Sequence, residues 1–223
     1  MINQVIFDLD GTLVDSAPVV AQILNEMRAE EGLASLLIDD FRRLVSLGAS
    51  TLISSAMNSD SKSLPEYIEA FRCRYRQLET PVSSLYPGAS ETIRYLVSRE
   101  IKVGLCSNKP EHLCRQVLND TKLLAYFSVI VGGDTLDYSK PNPAPLLYAV
   151  KTLNGSSSTS VLVGDSSVDH KTALSAHVPF VFYTKGYNDG VDRNSVDYSI
   201  SDLSQLLDLD AIKRHRPDEI AEL

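Results

Sequence analysis

The stretch from Gln4 to Ser16, which reads QVIFDLDGTLVDS, constrains the fold of this chain more than any other. It opens with an apolar run, Val5 to Phe7, that no polar residue interrupts, a pattern typical of a central strand covered on both faces. Asp8 and Asp10 follow directly, and residues two apart in an extended backbone point the same way. The sequence therefore predicts two carboxylates at the carboxyl end of a buried strand, where open α/β sheets bind ligands.

This pair of carboxylates has two readings. Close carboxylates repel each other unless a cation or a shared proton lies between them, and oxygen ligands favour a hard cation such as Mg²⁺. Gly11 then allows a sharp turn, and Thr12 adds a hydroxyl. Because Asp-Gly is also common in turns, Asp8 and Asp10 alone fit a strand followed by an acidic turn equally well.

The rest of the chain divides by its apolar periodicity. From residue 17 to 84 apolar residues recur at helical spacing, which predicts a helical insertion after the first strand. Beyond it strands and helices alternate, with strands predicted at 102–106, 127–131, 160–163, 180–183 and 198–200 and a helix after Asp202. The predicted fold is α/β: a three-layer, Rossmann-like parallel sheet formed by 1–16 and 85–223, with a helical cap at 17–84.

Three further polar clusters follow predicted strands. Ser107 and Asn108 lie in the loop after strand 102–106, where a hydroxyl and backbone N–H groups can bind phosphate. Lys140 precedes a proline that biases it to an extended backbone. Asp165 and Asp169 lie four apart and can face one site across a helix start. Taken singly, these clusters also fit a helix cap, a solvated lysine and an acidic first turn of a helix.

In order, however, the four clusters resemble the motifs of the haloacid dehalogenase (HAD) superfamily. Asp8 to Ser16 resembles the first motif, D-x-D-G-T-[LV]-x-[DN]-S, almost completely. Ser107, the Lys-Pro-x-Pro run from Lys140 and the G-D-x-x-x-D run from Gly164 resemble the other three. The resemblance spans nearly the whole chain, and three more segments resemble the phosphoglycolate phosphatases of that superfamily: Gly132–Leu136, Pro143–Leu147 and Gly186–Asn188.

The resemblance implies a role for each motif residue. Asp8 is the expected nucleophile, which becomes phosphorylated, and Asp10 the expected general acid and base. Asp8, the backbone carbonyl of Asp10 and Asp165 are the expected ligands of Mg²⁺, while Asp169 supports the metal or orients Lys140. The remaining expected contacts are with the substrate and come from Gly11, Thr12, Ser107, Asn108 and Lys140.

The function that follows is a Mg²⁺-dependent phosphatase acting through an aspartyl-phosphate on a small phosphorylated metabolite, with 2-phosphoglycolate the first expectation. A sugar-phosphate phosphatase or a phosphomutase of the same superfamily stays open. A rival from another class is a phospho-acceptor signalling domain, which would hold a phosphoryl group rather than turn it over. Such domains lack a helical insertion after the first strand and a second aspartate two residues beyond the first.

The carboxylate of phosphoglycolate requires a partner from the insertion. In the segment 41–48, Arg42 aligns best with the arginine of the family, and Arg43 is the adjacent alternative. A guanidinium is suited to bidentate binding of a carboxylate. The same segment is equally typical of an amphipathic helix on which both arginines are exposed to solvent.

Composition limits the partners and the compartment. The net charge of −8 gives no indication of a nucleic-acid partner, and no apolar run reaches the length of a membrane span. The N-terminus enters a strand without a basic and apolar leader, and the three cysteines form no C-x-x-C pair. These features predict a cytoplasmic protein with reduced thiols, and they say nothing about its oligomeric state.

Overall fold

The computed structural model describes residues 2–45, 48–59 and 63–213, without the side chains of residues 43, 211 and 213. In this part of the chain six parallel strands form one sheet in the order β3-β2-β1-β4-β5-β6. The strands are β1 (Gln4–Phe7), β2 (Lys102–Cys106), β3 (Val129–Val131), β4 (Ser160–Gly164), β5 (Phe180–Tyr183) and β6 (Tyr198–Ile200).

Strand β1 lies in the middle of the sheet, between β2 and β4. Val5 and Phe7 belong to the apolar cluster on one face, and Ile6 belongs to the cluster on the other. None of the three side chains is exposed, because helices cover both faces of the sheet. The predicted buried central strand is therefore confirmed.

The helices in the described part form the outer layers and the insertion. They are α1 (Ala17–Glu30), α2 (Ile38–Val45), α3 (Ala49–Met57), α4 (Leu64–Gln77), α5 (Ala89–Ser98), α6 (Glu111–Asp120), α7 (Ala144–Thr152), α8 (Ser167–Ala176) and α9 (Asp210–Lys213). Helices α5 and α6 bury apolar residues in the cluster with Phe7, whereas α7 and α8 pack in the cluster with Ile6. This arrangement confirms the predicted three-layer α/β fold.

Helices α1 to α4 follow β1 in sequence and match the helical stretch predicted there. Phe41, Ile53 and Tyr75 are buried in the same apolar cluster as Phe7, so the insertion packs continuously onto one side of the sheet. The division into a core and a cap at residues 16 and 85 stays a prediction. No helix among the described residues combines the length and the apolar character needed to cross a membrane.

Two elements differ from the sequence prediction. Strand β3 begins at Val129 rather than Phe127, because a 3₁₀ turn at Leu124–Tyr126 ends at Phe127. After Asp202 the chain forms a 3₁₀ helix, Leu203–Asp208, before the short α9. The Asp202 side chain accepts a hydrogen bond from the Ser204 N–H at 2.8 Å, which caps that first tight turn.

Candidate active site

The polar clusters converge where the strand order reverses, between β1 and β4. Asp8 follows β1 and Asp165 follows β4, and the Asp8 N–H donates to the Val163 carbonyl at 2.9 Å. One carboxylate oxygen from each of Asp8, Asp165 and Asp169 lies within 4.8 Å of the others. Such a switch point is where open α/β sheets place their ligands, so these carboxylates lie where a site is expected, and their role in it stays a prediction.

Lys140 joins two of these carboxylates. Its Nζ donates to Asp8 Oδ1 at 2.8 Å and to Asp169 Oδ1 at 2.6 Å, and its side chain is only 3% exposed. Burial disfavours the ammonium, but the Asp169 and Asp8 carboxylates outweigh it and raise the pKa of Lys140. Lys140 therefore stays charged and fixed against Asp8.

Asp169 holds this lysine from the start of α8. Its second oxygen, Oδ2, accepts from the Ser166 hydroxyl at 2.6 Å and from the Ser166 N–H at 3.2 Å, which forms a capping box. The helix cap thus fixes the carboxylate, and the other oxygen faces Lys140. Of the two roles predicted for Asp169, these contacts favour orienting Lys140.

Asp165 is held by neutral donors. Its Oδ1 accepts from the Thr12 hydroxyl at 2.9 Å and its Oδ2 from the Tyr187 N–H at 2.7 Å. Gly11 has a φ of 87°, and a Cβ there would overlap both Asp165 and the Tyr187 ring. The chain can pass this close to the carboxylate only because residue 11 is glycine.

The cluster carries more negative charge than its protein partners neutralise. Burial is the main cause that raises the pKa of Asp8 to about 7, and the pKa of Asp165 is raised by burial and then by Asp169 and Asp8. When all three are ionised, the Asp8, Asp165 and Asp169 carboxylates carry two more negative charges than the one ammonium beside them, that of Lys140, neutralises. Oxygen-only donors with this excess charge fit a divalent cation.

Asp10 has a separate partner. Lys109 Nζ donates to Asp10 Oδ1 at 2.9 Å, and both side chains are 9% exposed. The same ammonium lies 4.5 Å from the centre of the Tyr75 ring, which comes from α4 of the insertion. Burial disfavours the charge, but Asp10 outweighs it and raises the pKa of Lys109.

The loop after β2 carries the predicted Ser107 and Asn108. The Ser107 Oγ accepts from the Lys109 N–H at 3.2 Å. The Asn108 Nδ2 donates to the backbone carbonyl of Lys140 at 3.0 Å, while its Oδ1 is buried without a hydrogen-bond partner. Asn108 therefore ties the β2 loop to the loop that carries Lys140.

A cleft that is partly open to solvent lies between these loops and the insertion. It is lined by Asp10, Val20, Val45, Gly48, Ala49, Leu52, Phe71, Arg72, Tyr75, Asn108, Lys109, Pro110 and Leu113. Arg42 is not among the described residues that line it. Its guanidinium donates to Asp15 Oδ2 at 3.0 Å and to Asp39 Oδ1 at 2.6 Å. The Arg43 side chain and residues 46–47 lie outside the described residues.

Three contacts at this site were not predicted from the sequence. Lys109 faces Asp10, the Tyr187 N–H binds Asp165, and the Thr12 hydroxyl turns to Asp165 rather than into the cleft. Lys109 lies between Asn108 and Pro110 in a motif loop, and that position could have identified it as a candidate site residue. The other two depend on pairing across more than 20 residues, which spacing does not reveal.

Comparisons with known proteins agree with this geometry. The family model of haloacid dehalogenase-like hydrolases matches residues 5–183. A phosphoglycolate phosphatase of Cereibacter sphaeroides is 37% identical over 188 residues, covering 82% of this chain and 85% of the relative. One from Pseudomonas syringae is 35% identical over 220 residues, covering 93% and 80%.

Solved structures point the same way. A predicted phosphoglycolate phosphatase from Haemophilus somnus is 27% identical, with a TM-score of 0.86 over 93% of this chain and 97% of that one. The sheet order, the carboxylates at the switch point and the match of the family model lead to one assignment. The chain belongs to the haloacid dehalogenase-like hydrolase family and is a phosphoric monoester hydrolase.

Proposed function

We propose that this enzyme is a Mg²⁺-dependent phosphatase that hydrolyses 2-phosphoglycolate through an aspartyl-phosphate. The observation that carries the proposal is the buried Asp8 carboxylate held by Lys140 at 2.8 Å, beside Asp165 and Asp169 at the sheet's switch point. The names of the relatives, phosphoglycolate phosphatases 35–37% identical to this chain, support the choice of substrate.

Asp8 and Asp10 carry the two chemical steps. An Asp8 oxygen attacks phosphorus, the ester P–O bond breaks, and Asp10 gives its proton to the leaving alcohol oxygen. Asp10 then takes a proton from water as that water attacks the phosphorus of the aspartyl-phosphate. The Asp8–phosphorus bond breaks, inorganic phosphate leaves, and both carboxylates return to their starting states.

The other motif residues offset charge and position the phosphoryl group. Lys140 and the Ser107 hydroxyl would bind its oxygens, and the loop at Gly11, Thr12 and Asn108 would shape the surroundings. Thr12 would contribute through its backbone, because its hydroxyl is bonded to Asp165.

Asp8, Asp165 and the backbone carbonyl of Asp10 would hold the Mg²⁺, and Asp169 would support the site by orienting Lys140. The two negative charges that Lys140 leaves unneutralised match a divalent cation. When bound, the metal would neutralise phosphoryl oxygens and orient the group for in-line attack.

The insertion at 17–84 would act as a cap over the core formed by 1–16 and 85–223. Residues of both parts line the same cleft, so the substrate's alcohol portion would lie between them. Much of the wall is apolar, with Val20, Leu52 and Leu113 among its members. Such a wall suits a small alcohol better than a sugar, whose buried hydroxyls would need hydrogen-bond partners.

Phosphate release from a panel of phosphorylated metabolites tests this proposal. We expect repeated turnover with Mg²⁺, with 2-phosphoglycolate giving a higher kcat/KM than any sugar phosphate. Exhaustive chelation should abolish turnover and added Mg²⁺ restore it, while Ca²⁺ should inhibit because its looser coordination misplaces the nucleophile. Undiminished activity after chelation, or better turnover of a sugar phosphate, would contradict the metal or the substrate respectively.

A further inference from the structure

We propose that Arg72 in the insertion binds the carboxylate of the substrate's alcohol portion and so determines which phosphate esters the enzyme accepts. This inference rests on the proposed function. It assigns to Arg72 the carboxylate contact that the sequence led us to expect of Arg42. Arg72 would act with the ammonium of Lys109, a residue of the core that lines the same cleft.

Arg72 lies on the cleft face of α4. Phe71 and Tyr75, four residues apart on this helix, line the same cleft. Asp10, the proposed proton donor to the leaving oxygen, lines the same cleft from the core. Arg72 thus lines the cleft that the alcohol portion would enter beside Asp10.

The guanidinium of Arg72 has an unused capacity to bind an anion. Its Nε is buried without a hydrogen-bond partner, and the structure records no ion pair for Arg72 with any residue it describes. A buried donor without a partner is unfavourable, because it has lost its water without a replacement. A ligand carboxylate would supply the missing acceptor.

Neighbouring arginines on the insertion differ in this respect. Arg74 donates to Glu30 at 2.7 Å, and Arg76 donates to Glu69 at 3.0 Å. Arg42 is bound by both Asp15 and Asp39. Each of these three already has a carboxylate partner within the protein, whereas Arg72 has none among the described residues.

The charge of the cleft predicts one anionic group on the alcohol portion. The described residues that line the cleft include two cations, Lys109 and Arg72, and one carboxylate, Asp10, so at least one positive charge has no counterion even when Asp10 is ionised. In 2-phosphoglycolate a single methylene separates the ester oxygen from the carboxylate. A carboxylate so close to the oxygen that Asp10 protonates would lie near Lys109, the partner of Asp10, in the cleft that Arg72 also lines.

Kinetics on a matched pair of substrates test this role. The pair is 2-phosphoglycolate and its neutral amide, 2-phosphoglycolamide, each hydrolysed by the Mg²⁺-loaded full chain. We expect Arg72→Gln to raise KM for phosphoglycolate by about 10- to 100-fold, since one charged bidentate contact is lost, and to change kcat little. KM for the amide should change by less than about 3-fold, and Arg72→Lys should recover part of the loss.

Arg74→Gln is the control, because it removes an arginine two residues away whose partner is Glu30. It should leave both substrates within about 2-fold of the wild type. Equal losses on the acid and the amide in Arg72→Gln, or no loss on either, would overturn the inference while the proposed function stands. A wild-type enzyme that does not prefer the acid to the amide would overturn the choice of substrate itself.

Discussion

The two walls of the cleft differ in how completely their charges are paired. On the core side Lys109, which lines the cleft, binds Asp10, and in the neighbouring cluster Lys140 binds Asp8 and Asp169, all within 3 Å. On the insertion wall α4 presents two aromatic rings and Arg72, whose Nε has no partner. The core wall is therefore arranged before a substrate arrives, whereas the insertion wall is completed by the substrate.

This difference separates the residues that catalyse the reaction from the residues that select the substrate. Preorganised charges stabilise a transition state without a cost of reorganisation, which is what the core wall offers any phosphate ester. An unfilled ionic contact favours only those esters that bring the matching charge. Substitutions on the core wall should therefore affect every substrate alike, and substitutions on the insertion wall should distinguish among substrates.

The largest effect is expected from Asp8→Asn. The amide is nearly isosteric but cannot act as the anionic nucleophile, so phosphate release should fall by at least about 10³-fold on every substrate. A far-ultraviolet circular dichroism spectrum equal to that of the wild type would show that the fold is intact. Substantial activity in a clean preparation would remove Asp8 from its proposed role.

Lys140→Gln should come next. It leaves Asp8 and Asp169 buried without their ammonium, so kcat should fall by about 10²- to 10³-fold. Urea denaturation of the metal-free protein should show a loss of about 3–5 kcal/mol in unfolding free energy, as when one partner of a buried ion pair is removed. The exposed Lys151→Gln is the control, with a change below about 0.5 kcal/mol. Equal stability of the two variants would contradict the buried network.

The two walls of the cleft also differ in how much of each could be predicted from the sequence. The core wall follows from sequence, because β1, β2 and β4 are short apolar runs that end at their polar motifs and parallel strands bring those ends together. The insertion wall does not. Arg72 stands next to Phe71 at the edge of an apolar helical stripe, and only the packing of α4 decides whether it faces solvent or the cleft.

Side-chain contacts between residues far apart in the chain could not be predicted from the sequence either. The sequence singled out Asp10, but its partner Lys109 lies 99 residues away, and no spacing rule connects them. Arg42 was singled out by resemblance to a family position, and its contacts with Asp15 and Asp39 become visible only in the folded chain. Whether Arg42 also binds substrate stays a prediction, which the KM of the Arg42→Gln variant tests.

A smaller effect is expected in how the free energy of unfolding of the metal-free protein depends on pH. Because burial above all raises the pKa of Asp8 from 3.8 to about 7, the folded state keeps this proton where the unfolded state has released it. Stability should therefore fall as pH rises from about 4 to 7 and level off above that. Asp8→Asn has no such proton to lose, so its Tm should exceed that of the wild type by an amount that grows across this window. A difference in Tm independent of pH would contradict the raised pKa.

The smallest effect is expected from Arg42→Gln. Its ion pair with Asp15 is partly exposed, at 39% and 27% of the two side chains, so the loss should be at most about 1 kcal/mol. With Arg72 as the carboxylate partner, KM for phosphoglycolate should change by less than about 3-fold. A rise of about 10-fold or more, absent from the amide substrate, would return the role to Arg42.

The most direct test of the account is to identify the residue that receives the phosphoryl group. Enzyme mixed with 2-phosphoglycolate and Mg²⁺ is acid-quenched during turnover, treated with borohydride, which reduces an aspartyl-phosphate to homoserine, and mapped by peptide mass spectrometry. We predict homoserine at position 8 in the wild type and none in Asp8→Asn. Homoserine at another aspartate, or an unmodified Asp8 in enzyme quenched while phosphate is being released, would contradict the central role of Asp8.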